Sequence, residues 1–62
     1  MSREEAFEAL YNGYKITHSY FSEGEYYKLI NDKIIAEDGV NHTAVFWSLE
    51  GNNWRANGWE IF

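Results

Sequence analysis

The apolar positions of the chain change period once, near Gly13, which separates a helical opening from an extended remainder. Phe7, Leu10 and Tyr11 recur at helical spacing with Ala6 beside them, while Arg3, Glu4 and Glu8 fall on the other side. Ser2-Arg3-Glu4-Glu5 reads as a capping box: the Ser2 hydroxyl accepts from the Glu5 N–H, and the Glu5 carboxylate accepts from the Ser2 N–H. Asn12-Gly13 supplies a left-handed stop. These features predict one amphipathic helix over residues 3–12, too short to be stable alone.

After Gly13 the period is 2. Tyr14, Ile16 and His18 alternate with Lys15, Thr17 and Ser19, and Ser22-Glu23-Gly24 turns the chain. Residues 25–30 form a second predicted strand, with Tyr27 and Leu29 opposed to Tyr26, Lys28 and Ile30. Asn31-Asp32 is a two-residue hairpin candidate, because both residues tolerate positive φ. Lys33 to Ala36 returns, and Glu37-Asp38-Gly39 turns again. Thr43 to Leu49, rich in β-branched and aromatic residues, gives the strongest strand signal. Glu50-Gly51-Asn52-Asn53 breaks it; Trp54, the Asn57-Gly58 turn and a last strand, Trp59 to Phe62, follow. In that strand Trp59 and Ile61 share a face and Phe62 takes the other, so the apolar ending is expected to be clamped into the sheet beneath the helix. The expected fold is α+β: a single domain over 1–62, with one N-terminal helix packed on an antiparallel meander sheet of four to five strands.

Composition limits the chemistry. The chain has 62 residues and no cysteine, which excludes disulfides, cysteine-based zinc sites and cysteine nucleophiles. His18 and His42 stand far apart without a neighbouring carboxylate–histidine motif, so no metal or cofactor is expected. No serine has a nucleophile-elbow context and no oriented base is legible, so the chain is not expected to be an enzyme. Ten carboxylates against five Lys and Arg give a net charge of −5, which argues against direct nucleic-acid binding. No apolar run reaches the roughly 18–20 residues that span a membrane, and the acidic opening is unlike a signal peptide. A cytoplasmic protein is expected. Three Trp, five Tyr and four Phe exceed what so short a chain can bury, which points to a homo-oligomer, a dimer or larger.

Three stretches carry a family likeness: "EEAFEALYNGYKI", "FSEGEYYKLINDKIIAEDG" and "NGWEIF". Together they resemble short phage and prophage proteins that open with a helix of the type F-x-E-A-L-x-x-L-x-x-G-K-K-V. Those proteins continue through a W-x-x-G-x-Y-I-x-L strand and a G-x-I-V-D-E-D-G hairpin, and end in D-W-E-I-V. The group includes the second type of Thoeris anti-defence protein, a sponge for cyclic ADP-ribose signals, and a similar type II-A anti-CRISPR protein. Within the resemblance, Gly13 takes the helix-ending glycine, Phe21 the place usually held by tryptophan, and Trp59-Glu60-Ile61 the closing strand. Two departures reduce what carries over. Thr17-His18 stands where consecutive basic residues are common, and the chain is shorter between the hairpin and the end.

The resemblance implies a counter-defence protein that acts by binding in the host cytoplasm. Its partner is either a cyclic nucleotide-like small molecule that it sequesters or a host defence protein that its acidic, aromatic surface covers. Two runs are the candidate sites. Tyr20, Phe21, Tyr26 and Tyr27 crowd around one turn, where rings could stack a base or simply pack. In Asn52-Asn53-Trp54-Arg55, a ring flanked by amides and a guanidinium could hold a base and a phosphate, or the run could be an Asn-rich turn capping the core. The expected ligand-binding residues are Phe21, Tyr26, Asn53, Trp54 and Arg55. The acidic residues are expected to form a solvated surface.

Overall fold

A computed structural model describes residues 1–50 and 53–62. Helix α1 spans Arg3–Tyr11. The Ser2 hydroxyl accepts from the Glu5 N–H at 3.1 Å, and the Ser2 N–H donates to Glu5 Oε1 at 2.8 Å, so the capping box is formed in both directions. At the other end Gly13 has φ +92°, and the Gly13 and Tyr14 N–H groups donate to Leu10 O and Ala9 O at 3.0 Å each. This is a Schellman stop, which satisfies two carbonyls that the helix leaves free.

The strands are β1 (Ile16–His18), β2 (Tyr27–Ile30), β3 (Lys33–Ala36) and β4 (Trp59–Ile61). All neighbours are antiparallel, in the order β3-β2-β1-β4. The first three follow one another as a meander, and the last strand returns to the free edge of β1. Asn31 and Asp32 take φ values of 50° and 64°, the left-handed pair that a tight hairpin between β2 and β3 requires. Both backbone groups of Trp59 point away from β1: its N–H donates to Met1 O at 3.1 Å and its carbonyl accepts from the Met1 amino group at 2.6 Å. Met1 thus covers part of the edge that β4 would otherwise leave open.

One expectation is corrected. Thr43 to Leu49 is not a strand: Thr43–Trp47 is a short helix, α2. The β-branched and aromatic composition that suggests a strand is overridden by packing and by hydrogen bonds at its start. Asn41 Oδ1 accepts from the Thr43 N–H at 2.9 Å, and the His42 N–H donates to Ile34 O at 2.8 Å. The Thr43 hydroxyl in turn accepts from the Ile34 N–H at 2.9 Å, so the segment is tied sideways onto β3. Of the helix only Phe46 is buried, and it drops into the core. The expected break at Glu50-Gly51-Asn52-Asn53 lies partly outside the described residues; from Trp54 to Ala56 the chain makes one 3-10 turn.

The core is one cluster of Ala6, Leu10, Ile16, Tyr27, Ile34, Ala36, Phe46 and Trp59, with both helices on the same side of the sheet. Trp59 is completely buried, its ring lying against His18, Phe21, Tyr27 and Phe46 at centroid distances of 4.7–5.8 Å, and its indole N–H donates to Arg55 O at 2.7 Å. Ile61 lies at the margin and is half exposed, while Phe62 packs on the far side of the sheet against Tyr26 at 4.7 Å. Two assignments on α1 are also corrected. Tyr11 is 73% exposed, whereas Arg3 is buried in the stripe Arg3-Ala6-Leu10. No helix among the described residues is long and apolar enough to cross a membrane.

Candidate functional site

Three of the five expected site residues, Phe21, Tyr26 and Trp54, line one open groove of about 520 Å³. The turn after β1 delivers Phe21, the approach to β2 delivers Tyr26, and the 3-10 turn delivers Trp54. Phe21 meets Trp54 and the buried Tyr27 edge-on, at 6.4 and 5.2 Å. A buried histidine sets Trp54 in place. The Tyr20 N–H donates to His18 Nδ1 at 3.0 Å, so the proton sits on Nε2, which donates to Asn57 O at 2.6 Å with Trp54 O at 3.1 Å. The His18 ring then abuts the Trp54 ring at 4.7 Å, edge to face.

The remaining walls are polar and acidic: Glu25, Glu37 and Asp38, with His42, Tyr27, Ala36 and Val45 behind them. Glu25 accepts from the Ser22 N–H at 3.0 Å, and Asp38 accepts from the Val40 N–H at 3.1 Å, so local backbone donors hold both carboxylates in place. The Tyr27 hydroxyl and His42 Nδ1 share a hydrogen bond at 3.1 Å. Burial pushes the Tyr27 phenol up to about 12; Arg55 opposes the shift, and the Glu25 and Glu37 carboxylates add to it. The floor of the groove is therefore a protonated phenol hydrogen-bonded to an imidazole. Sequence reasoning placed these carboxylates on a general solvated surface; the meander brings the turn before β2 beside the turn after β3, and only that pairing collects them.

Asn53 and Arg55 lie elsewhere. Asn53 takes a left-handed conformation, φ 53°, and its Oδ1 accepts from Arg3 Nη2 at 3.1 Å. Arg3 also donates to Ser48 O at 3.2 Å and to Arg55 O at 3.4 Å, so a buried guanidinium ties α1 to the segment before β4. The Arg55 guanidinium lies 4.4 Å over the Trp54 ring and donates to Glu50 O at 3.4 Å. It borders a second, shallower depression with Ala44, Val45, Ser48, Leu49 and Glu50. Asn52 lies outside the described residues.

Among the described residues no group of three or more His, Asp or Glu side chains is placed to hold a metal ion. Comparison with known protein families, with curated proteins and with solved structures finds no match.

Proposed function

We propose that the protein is a non-catalytic binding protein whose groove takes a basic side chain of a partner protein. One observation carries this reading: the groove joins the rings of Phe21 and Trp54 to the carboxylates of Glu25, Glu37 and Asp38, with no cationic side chain among the described residues of its lining, while Tyr26 borders it with its ring turned to Phe62 across the sheet. A guanidinium or ammonium can lie over an aromatic face while carboxylates meet its N–H groups. A phosphate in the same place would face three negative charges at close range. Of the two partners the family resemblance suggests, the groove favours a host defence protein covered at a basic surface in the host cytoplasm. Sequestration of a cyclic nucleotide draws its support from the Trp54–Arg55 stack, of which Arg55 borders the second depression.

A titration with N-acetyl-arginine amide and with a short arginine-containing peptide, followed by tryptophan fluorescence and calorimetry, tests the proposal. Binding is expected for the wild type and is expected to weaken at least tenfold in the Glu37→Gln, Asp38→Asn double variant. Binding of a cyclic dinucleotide that is lost in Arg55→Ala and indifferent to the carboxylate changes would replace this reading with sequestration.

A further inference from the structure

The helices cover only one face of the sheet, and the charges of the chain are sorted across it. Ile16 and Tyr27 are paired and buried on the helix side, so Lys15 and Lys28, their neighbours on adjacent strands, project to the other side. Ile30 pairs with Lys33 and Lys28 with Ile35 on that same open face, where Phe62 also lies. No residue of this face is buried. All three lysines of the chain therefore stand together on it, beside exposed apolar surface. Glu60, paired with Thr17, stands on the same face.

The outer surface of α1 has the opposite character. Glu4, Glu8 and Tyr11 recur at i, i+4 and i+7, and all three are exposed. Because α1 packs on the covered face of the sheet, this acidic, tyrosine-bearing surface points away from the lysine face. One molecule thus presents a cationic–apolar surface on one side and an anionic–aromatic surface on the other.

We infer that the open sheet face docks the outer face of α1 from a second copy of this chain, head to tail. The occupant is a second copy because the complementary surface is already present on the chain, on the side that stacking needs. Two sheet faces meeting by a two-fold axis would set lysines against lysines, which is unfavourable. A head-to-tail contact uses different patches on each copy, so assembly is not limited to a pair. This inference does not depend on what the groove binds.

Sedimentation velocity and light scattering over a range of protein concentration, at low salt and at about 1 M salt, where the screening length falls to about 3 Å, test it. Expected at low salt is a mass that rises beyond two copies with concentration and falls back in high salt. Lys28→Glu alone and Glu8→Lys alone are each expected to weaken association at least tenfold while keeping a native circular dichroism spectrum. An equimolar mixture of the two variants should recover it, since each reversed face then meets a complementary one. A chain that stays monomeric at low salt, a mass that stops at two, or association unmoved by both charge reversals would overturn the inference.

Discussion

Arg3 shows how a single side chain can join parts of the chain that share no strand pairing. Its guanidinium is buried and, among the described residues, donates to neutral oxygens, those of Ser48, Asn53 and Arg55. Hydrogen bonds from a charged donor are each worth about 1.5–3 kcal/mol, and their loss strands buried acceptors. Arg3→Ala is therefore expected to lower unfolding free energy by about 3 kcal/mol or more, read by urea denaturation. Gly58 is constrained twice: its φ is +95°, and an added Cβ would lie 2.8 Å from His18 Nε2. Gly58→Ala must displace the ring that positions Trp54 and Trp59, so both a lower melting midpoint and altered tryptophan emission are expected.

Tyr27 gives a pH signature at the same scale. Its phenol is held protonated up to about 12 against an ordinary 10. Between those values the folded chain keeps a proton that the unfolded chain releases. Stability is therefore fully present below pH 10 and falls as pH rises through about 12. Urea midpoints measured across this window should decline in the wild type, and Tyr27→Phe should decline less.

At the level of elements, the two ends of the described chain are interdependent. Trp59 contributes the largest fully buried side chain, and its strand supplies the partner of β1. Burying a side chain of this kind is worth about 3 kcal/mol, against a total stability of about 5 kcal/mol or less for a domain of this size. Deleting Trp59 to Phe62 is accordingly expected to abolish the cooperative melt. Helix α2 buries one side chain in the core, that of Phe46. Phe46→Ala should cost about 3–5 kcal/mol, while Val45→Ala, at an exposed position, should change stability by about 0.5 kcal/mol or less.

Local signals made α1, the Asn31-Asp32 hairpin and the closing strand legible in the sequence, because cap, turn and period reside in contiguous residues. Thr43–Trp47 misled for the opposite reason. Its β-branched and aromatic composition suggests a strand, but Val45, Trp47 and Leu49 are exposed and the segment is set by bonds to Ile34, far back in the chain. Arg3 was assigned to solvent because polarity alone cannot reveal three acceptors gathered from residues 48–55. The same limit applies to the groove. Phe21, Tyr26 and Tyr27 were legible as a cluster, whereas Trp54, read as part of a separate run, and the carboxylates meet them only in the folded chain.

For the whole molecule, the central claim is that an acidic aromatic groove, and no cationic phosphate clamp, is the binding surface. Amide and side-chain NMR of the wild type, titrated with an arginine-containing peptide and separately with a cyclic dinucleotide, tests it most directly. The account predicts saturable shifts with the peptide at Phe21, Glu25, Tyr26, Glu37, Asp38 and the Trp54 indole, and none there with the nucleotide. Saturable shifts with the nucleotide centred on Trp54 and Arg55, with the peptide leaving the groove unmoved, would contradict it.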